Sequence, residues 1–263
     1  MGCVWKSIPI LPNFEVRDDD ICICAFPSSG THWFWEIICM LLNGKAMYLT
    51  GTKEQDMMEF IMPDVFEKRQ SPRILNTHLR PKYLPEKMVK EGKIILVVRN
   101  PKDVIVSNYR QTYGLKVLGY EGSFPSFFES FLEGKVHYGS WFDYINDWME
   151  AKKNNPNIML VTYEEAKEDL PATVECFSKY LNLKQNEELI KKIAELCTFK
   201  SMKTAKEDLT KDIDMWREGY SFYRSGKTGT WKDWLTVQQN EKIEECMKSK
   251  LNSLEIAKMY MTS

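Results

Sequence analysis

The sequence has no excess of charge of either sign, since 36 Lys and Arg residues stand against 37 Asp and Glu and leave a net charge of -1. A protein that binds nucleic acid over a broad face needs clustered basic residues, so the composition argues against that class for the chain as a whole. Any site for an anion must therefore be local.

Long apolar runs are also missing. The longest, around Trp33 to Leu42, is interrupted by Glu36 and is too short to span a bilayer. The N-terminus has no apolar signal core, and Lys6 occupies the position where a myristoylation motif after Gly2 needs Ser or Thr. These absences predict a cytoplasmic protein that makes no membrane contact.

The seven cysteines contain no CxxC pair, and their number is odd. Disulfides or a metal site are the alternatives, but most of the cysteines fall in apolar segments, which favours reduced core thiols and no metal. The seven are Cys3, Cys22, Cys24, Cys39, Cys176, Cys197 and Cys246.

Short apolar runs typical of buried strands alternate with segments of helical periodicity. The predicted strands are Ile21 to Ala25, Arg73 to Thr77, Lys93 to Val98 and Ile158 to Val161. This alternation predicts an α/β protein in which a parallel sheet is covered on both faces, a three-layer α/β/α domain. The length suits one such domain over residues 1–263 better than two small ones.

Helices are predicted wherever apolar residues recur at helical spacing between turn signals. Pro63 should stop the segment Lys53 to Met62, and the polar segment Lys203 to Glu218 should be a surface loop or lid. The other helices should cover Thr31 to Asn43, Leu84 to Glu91, Ser123 to Glu133, Gly139 to Lys153, Pro171 to Leu181, Asn186 to Leu196 and, as the last helix, Thr236 to Lys250.

The first strand feeds a Pro-Ser-Ser-Gly-Thr turn that opens a strongly apolar helix. Ser28 to Thr31 offer hydroxyl groups and backbone N–H groups at a helix N-terminus, where the helix dipole favours a phosphate or sulfate. An ordinary strand-to-helix connection is the alternative. An ATP or GTP loop is disfavoured, because the first Gly and the Lys of GxxxxGK[ST] are missing.

A second strand-to-helix junction follows Lys93 to Val98. Arg99 lies at the carboxyl end of this strand, Asn100 suits the N-cap of the next helix and Pro101 its first position. Since ligands of open parallel sheets gather at the carboxyl ends of the strands, this junction is a second candidate anion site, with Ser107 farther along the helix. A flexible cationic loop, Tyr223 to Trp231, is a candidate to close on the anion.

The segments PSSGTHW, NTHL, RNPKDVIVSNY, VTYEE and FYRSGKTGTWKDW, followed by KDWLTVQQNE, occur in the order typical of one family. They resemble the cytosolic sulfotransferases from about residue 20 to the C-terminus. The resemblance implies transfer of a sulfuryl group from 3′-phosphoadenosine 5′-phosphosulfate (PAPS) to an acceptor, leaving 3′,5′-ADP.

The resemblance also implies roles for individual residues. The loop Ser28 to Thr31 would hold the 5′-phosphosulfate, and His78 would be the catalytic base, with Ser107 as a further catalytic candidate. The implied nucleotide binders are Ser28, Ser29, Gly30, Thr31, His32, Trp33, Arg99, Ser107, Tyr163, Cys197, Thr198, Phe199, Arg224, Ser225 and Gly226. Among them, the resemblance implies that Arg99, Ser107, Arg224 and Gly226 bind the 3′-phosphate, and that Trp33, Tyr163 and the Cys197-Thr198-Phe199 segment hold the adenine. Without the motif, His78 would be interpreted as a surface loop residue.

Three lysines of the family pattern are replaced, by Ser28, Asn76 and Ser225. Each missing charge-assisted hydrogen bond removes roughly 1.5 to 3 kcal/mol of stabilisation. The replacements leave open a catalytically weak or inactive paralogue that binds the nucleotide or a small ligand. Candidates for compensation are His32, Arg80 and Lys227. A kinase is disfavoured, because the strand Lys93 to Val98 supplies no Asp for Mg²⁺.

The family's short dimer motif KxxxTVxxxE is matched by Lys232, Thr236, Val237 and Glu241, which implies a homodimer. The alternative is a capped surface helix with Val237 on its buried face. The 14 Met, 8 Trp and 13 Phe residues predict an apolar, adaptable pocket for a small acceptor bearing a hydroxyl or amine.

Overall fold

The computed structural model describes residues 7–211, 216–221, 223 and 225–261. Its sheet has four parallel strands in the order β2-β1-β3-β4. They are β1 (Ile21–Ala25), β2 (Ile74–Thr77), β3 (Lys93–Val98) and β4 (Ile158–Thr162). The four predicted strands are confirmed, each within a residue of its expected bounds.

The two faces of the sheet bury different side chains, because successive residues of a strand point to opposite sides. In β1, Ile21 and Ile23 enter one core while Cys22 and Cys24 enter the other. Strand β3 divides in the same way. Strands β1 and β3 carry no polar face, as expected for the central strands of a parallel sheet covered by helices on both sides.

Helices form the two outer layers, which confirms the predicted three-layer fold. The helices are α1 (Thr31–Asn43), α2 (Pro63–Glu67), α3 (Glu86–Glu91), α4 (Pro101–Gly114), α5 (Phe124–Leu132), α6 (Trp141–Asn154), α7 (Tyr163–Glu168), α8 (Leu170–Tyr180), α9 (Glu187–Leu196), α10 (Phe199–Lys211), α11 (Val237–Lys250) and α12 (Leu254–Met261). Helices α1, α8 and α9 cover the face that holds Ile23, and α4, α5, α6, α11 and α12 cover the face that holds Cys24.

The termini of several helices follow from their local sequence. Gly44 adopts a left-handed conformation after α1, and its N–H donates to the carbonyls of Leu41 and Met40. The Asn100 side chain accepts from the Lys102 N–H, as predicted for the N-cap of α4, and Pro101 takes the first helical position. The Asn100 cap fixes where the loop at the carboxyl edge of the sheet enters α4, and Gly44 fixes where α1 ends.

The predicted helix Lys53 to Met62 is wrong. Lys53–Asp56 form a short 3-10 helix, and Met57 then pairs with Asn76 beside β2 in a parallel bridge. Pro63 begins α2 rather than ending a helix, because a proline suits the first helical position, whose N–H has no intrahelical partner.

The predicted loop Lys203 to Glu218 is also wrong over its first part, since α10 continues to Lys211. Its polar composition conceals an inward face on which Met202 and Lys206 are buried one helical turn apart, and Lys206 forms an ion pair with the buried carboxylate of Glu36. Residues 212–215 lie outside the described part.

Helix α11 is not the last helix, because α12 follows it and buries Ile256, Ala257 and Tyr260. Four of the six described cysteines, Cys22, Cys24, Cys39 and Cys197, are buried free thiols, as predicted. The other described cysteines are Cys176, which is exposed, and the partly buried Cys246, whereas Cys3 lies outside the described residues. None of the helices in the described ranges combines the length and apolar character that crossing a bilayer requires.

Candidate active site

The carboxyl ends of β1, β2 and β3 bring three predicted functional segments to one edge of the sheet. The Ser28–Thr31 loop follows β1, His78 follows β2 directly and Arg99 follows β3 directly. After β1 the chain forms β2 on one side and later β3 on the other, so the strand order reverses between β1 and β3. Crevices that bind ligands in open parallel sheets lie at such a reversal.

The loop before α1 takes a shape that depends on Gly30. Its φ is +97°, and an added Cβ would lie 2.7 Å from Cδ2 of the Tyr163 ring. Ser28 also has a positive φ, +68°. The backbone N–H groups of Trp33 and Phe34 donate to the Gly30 carbonyl and start α1. The turn therefore presents the positive end of a 13-residue helix to the crevice.

Two hydroxyl groups of this loop are buried without a partner. Ser29 is 0% and Thr31 3% exposed, and no hydrogen bond reaches Oγ of Ser29 or Oγ1 of Thr31 in the described part of the chain. A buried polar group left unsatisfied costs about 1 to 3 kcal/mol. An anion at the N-terminus of α1 would accept hydrogen bonds from both hydroxyls, so these residues fit a phosphate or sulfate.

Arg99 joins β3 to the loop. Its Nη1 donates to the Ser28 carbonyl at 2.9 Å, and the centre of its guanidinium lies 4.2 Å from the centroid of the Tyr163 ring. The Arg99 Nε is buried with no hydrogen-bond partner among the described residues. The cation is thus fixed beside the turn at the N-terminus of α1, and its Nε remains available as a donor.

The predicted adenine binders form an adjoining cluster. Trp33 donates from Nε1 to the Cys197 carbonyl at 2.6 Å, and its ring meets that of Tyr163 edge to face at 5.3 Å. Phe199 packs so tightly on Gly226 that an added Cβ there would lie 2.1 Å from the ring. Thr198 instead bonds Ser201 at the start of α10. Arg224 lies outside the described residues, and Ser225 is partly buried.

Asp103 anchors the loop that carries Gly226, a role that no motif of the sequence indicates. Its carboxylate accepts from the Gly229 N–H at 2.7 Å, the Thr230 hydroxyl at 3.1 Å and the Trp231 N–H at 3.0 Å. Ser107 is half-buried on α4, and among the described residues no hydrogen bond joins it to Arg99 or to the Ser28–Thr31 loop.

His78 is held through both of its ring nitrogens. Nδ1 lies 2.6 Å from the Ala25 carbonyl at the end of β1, and Nε2 lies 3.2 Å from Nζ of Lys53. A carbonyl oxygen only accepts, so Nδ1 carries the proton and Nε2 carries the lone pair. The backbone N–H of His78 donates to Glu59 at 2.7 Å, and the Tyr138 ring meets the imidazole edge to face at 5.2 Å.

The electrostatics keep this imidazole neutral. Burial, and after it the charge of Lys53, hold the pKa of His78 well below its ordinary value. Lys53 is itself 4% exposed. Burial lowers the pKa of Lys53, while the carboxylates of Glu54 and Glu59 act in the opposite direction. A neutral imidazole with a fixed tautomer is suited to accept a proton at Nε2.

The three replaced lysines have different surroundings. The Ser28 hydroxyl donates to Oε1 of Gln111 at 2.8 Å. The Asn76 amide donates to the Lys53 carbonyl at 2.7 Å. Ser225 is partly buried in the loop after residue 224. Neither Ser28 nor Asn76 reproduces a cation, but Asn76 holds the backbone of a residue that carries one.

The proposed compensating cations are directed elsewhere. His32 bonds Glu54 at 2.8 Å, and its pKa is lowered by burial against the opposing effect of Glu54. Arg80 pairs with Asp147 at 2.5 Å and with Asp143 at 3.1 Å, and Lys227 is exposed. The cation that does reach the site is Lys53. Sequence reasoning missed it, because no motif connects residue 53 to His78 and its segment was interpreted as a helix.

The described residues contain no cluster of three or more His, Cys, Asp or Glu side chains that could hold a metal ion. The polar groups that the structure brings to this site are the loop hydroxyls and N–H groups, Arg99, His78 and Lys53.

The family model of the sulfotransferase domain matches residues 18–255. Sulfotransferase 1E1 of Cavia porcellus is 36% identical over 92% of this chain and 85% of its own length. The amine sulfotransferase of Oryctolagus cuniculus is 33% identical over 94% and 85%, respectively.

Solved structures agree with the sequence comparison. The mouse sulfotransferase SULT7A1, complexed with PAP, superposes with a TM-score of 0.81 at 26% identity over 99% of this chain and 95% of that one. Retinol dehydratase in complex with androsterone and inactive cofactor PAP shares the fold, with a TM-score of 0.80 at 22% identity over 93% and 84%. The chain belongs to the sulfotransferase family, and its activity is sulfuryl transfer.

Proposed function

We propose that the chain transfers a sulfuryl group from PAPS to a hydroxyl or amine of a small, mostly apolar acceptor, with His78 as the base. The observation that carries this proposal is the neutral imidazole fixed by the Ala25 carbonyl at the carboxyl edge of the sheet, beside a turn with two unsatisfied buried hydroxyls. That juxtaposition puts a proton acceptor and an anion site in one crevice.

The residues present fit the nucleotide donor. PAPS would supply the sulfuryl group at the Ser28–Thr31 turn, and its product 3′,5′-ADP is the PAP named for the mouse SULT7A1 complex. Ser29 and Thr31 have hydroxyls available for the phosphosulfate, and Arg99 has a buried donor available for a phosphate oxygen. Trp33, Tyr163 and Phe199 offer aromatic surface for the adenine ring of the nucleotide. The proposal, like the sequence analysis, includes no metal.

The chain's own residues divide the work between positioning and proton transfer. The turn and Arg99 fix the anion, which lowers the barrier chiefly by in-line placement and by stabilising negative oxygens. His78 takes the acceptor's hydroxyl proton on Nε2, and its Nδ1–H keeps the ring oriented through the Ala25 carbonyl. The Glu59 carboxylate accepts a hydrogen bond from the backbone N–H of His78 and so fixes the backbone at this position.

A small apolar acceptor is supported by the Tyr138 ring, which meets the His78 imidazole edge to face. The amine sulfotransferase among the relatives supports amines as well as hydroxyls. An acceptor screen with labelled PAPS, covering phenols, steroids, amines and charged saccharides, tests this class. Exclusive use of a highly charged saccharide would contradict it.

The sequence left open a catalytically weak or inactive paralogue, and the feature of the structure that bears on the rate is the Ser28 hydroxyl, which is turned to Gln111 and brings no charge to the donor. Thermal stabilisation by 3′,5′-ADP without metal is measured beside turnover of a generic phenol with PAPS. Stabilisation with turnover supports the transferase, and stabilisation alone supports the binding paralogue. A protein that shows neither stabilisation nor turnover would contradict both hypotheses.

The proposal includes a cytoplasmic homodimer. Val237 is 77% exposed at the start of α11, directly after the Thr236 cap, and the alternative that buried this valine is wrong. An exposed apolar residue flanked by Lys232 and Glu241 suits a small self-complementary contact between two copies.

A further inference from the structure

A buried ammonium group sits at the lone pair of the base. Lys53 is 4% exposed, and its Nζ lies 3.2 Å from Nε2 of His78 and 3.0 Å from Sδ of Met57. Burying a lysine is unfavourable unless other groups compensate for its lost hydration. Such a residue persists where the surrounding structure holds it, and here its only nitrogen neighbour at hydrogen-bond distance among the described residues is the imidazole.

Asn76 holds Lys53 in this position. The Asn76 side chain is fully buried, and its amide donates to the Lys53 carbonyl at 2.7 Å. The backbone is tied as well, because the Met58 N–H donates to the Asn76 carbonyl at 3.0 Å. The residue that replaces a lysine of the family pattern therefore fixes a lysine from another part of the chain.

Lys53 also connects His78 to the Ser28–Thr31 loop, which would hold the donor and is called the donor loop below. Oε1 of Glu54 lies 3.8 Å from the Lys53 ammonium and 2.8 Å from Nε2 of His32, which directly follows Thr31. The titratable groups that face the His78 and Lys53 pair are Glu54, Glu59, His32 and Tyr138. The group of positive charge that contacts His78 directly is Lys53, at 3.2 Å from Nε2.

We propose that Lys53 supplies, beside His78, the catalytic cation that this chain lacks at Asn76. This inference rests on the proposed role of His78 as the base. A hydroxyl that gives its proton to Nε2 must lie about 2.6 to 3.2 Å from it, and so within about 6 Å of the ammonium. The acceptor oxygen and the transferring group would thus react next to a positive charge.

The step balances without any further reactant. Nε2 has one lone pair, so the acceptor hydroxyl takes the place of the Lys53 ammonium on it, and the ammonium donates to the acceptor oxygen instead. The acceptor's O–H bond then breaks and its proton goes to Nε2 of His78. The acceptor oxygen forms a bond to sulfur as the bond from sulfur to the donor's bridging oxygen breaks, and 3′,5′-ADP leaves with that electron pair. Lys53 keeps its own proton and stays positively charged throughout.

The first test needs no ligand. The chain has three histidines, so the His78 ring signals are assigned in NMR spectra from the loss of one set in His78→Asn. We expect Lys53→Met to raise the pKa of His78, because a neighbouring positive charge is removed. Lys102→Met is the matched control, since Lys102 is an equally buried lysine that pairs with Glu244 at 2.7 Å, and it should leave the His78 titration unchanged.

The second test measures turnover and affinity separately. Lys53→Met should lower kcat at least about tenfold, while the Kd for 3′,5′-ADP stays within about threefold. The double variant Lys53→Met with Asn76→Lys returns a cation to the family's position and should regain most of kcat. Lys53→Arg should retain both the activity and the low His78 pKa.

An unchanged His78 pKa in Lys53→Met, or a kcat within threefold of the wild type, overturns the proposal. If Lys53→Met does not fold by circular dichroism, Asn76→Ala tests the same point, because it releases the Lys53 carbonyl and should lower kcat at constant nucleotide affinity. Unchanged kcat in that variant also overturns it. Failure of the proposed function shows separately, as wild-type protein without turnover.

Discussion

The donor loop invites a gain-of-function test at Ser28. Its hydroxyl donates to Gln111 at 2.8 Å and contributes no charge to the anion site, while its carbonyl is held by Arg99 at 2.9 Å. Ser28→Lys would place an ammonium group in the loop that would hold the phosphosulfate. The backbone already accepts a side chain at a positive φ there, so the substitution adds length without a new conformational demand.

The magnitudes separate into a stability cost and a catalytic gain. Losing the hydrogen bond to Gln111 costs about 0.5 to 1.5 kcal/mol, which lowers Tm by a few degrees, roughly 2 to 4 °C per kcal/mol at this chain length. A cation acting on the charge that develops at the donor oxygen should raise kcat about tenfold or more. The KM for PAPS should change less, because the charge is stronger in the transition state than in the bound ground state.

Ser28→Ala is the matched control, since it removes the same hydrogen bond and adds no charge. Steady-state kinetics with PAPS as the varied substrate give kcat and KM for the wild type and both variants. The expected pattern is a higher kcat in Ser28→Lys alone and a similar loss of Tm in both. A folded Ser28→Lys protein with lower kcat than Ser28→Ala would refute the reasoning and mean that another group already occupies the space.

Three further outcomes are expected. Arg99→Ala should weaken 3′,5′-ADP binding about ten- to a hundredfold in calorimetry, since a charge-assisted donor is lost, and an unchanged Kd would contradict its assignment. His78→Ala should lower kcat by about 10²–10⁴ at nearly constant nucleotide affinity. The acid limb of wild-type kcat/KM should lie below pH of about 6.5, because the lowered pKa of His78 keeps it neutral down to more acidic pH. Equal loss of nucleotide affinity in the Arg99 and His78 variants would contradict both roles. Val237→Glu should give monomers in light scattering while Val117→Glu, an exposed valine elsewhere, leaves dimers, and a persistent dimer in the first variant would exclude α11 as the interface.

The fold was predictable where the sequence carries a two-sided apolar signal. Strand β3 has no polar residue after Lys93, and a strand of that kind needs helices on both faces. The errors occur where a local signal has two physical meanings. A proline can end the helix before it or begin the helix after it, and Pro63 begins α2. Helix α10 is polar overall, but it buries Met202 and Lys206, because the buried carboxylate of Glu36 forms an ion pair with Lys206.

The candidate site was predictable where a motif couples position to chemistry. His78 and Arg99 end neighbouring strands, so the topology alone brings them to one edge, and Gly30 must be a glycine because Tyr163 lies against it. Asp103 escaped interpretation, since its three partners lie more than a hundred residues away in the chain. Contacts of that span follow from the packing of α4 and cannot be inferred from spacing.

The three missing lysines are therefore not equivalent losses. At Asn76 the amide fixes Lys53, and a positive charge returns to within 3.2 Å of Nε2 of His78 from a segment with no motif of its own. At Ser28 the hydroxyl turns to Gln111, and His32 beside it is engaged by Glu54. The sequence motif lacks a cation at both positions. Stabilisation of a transition state, however, depends on where a cation lies in space and not on its place in the motif. Under the proposed role of Lys53, a positive charge is present beside His78, and the loop at Ser28 is where added charge should still increase the rate.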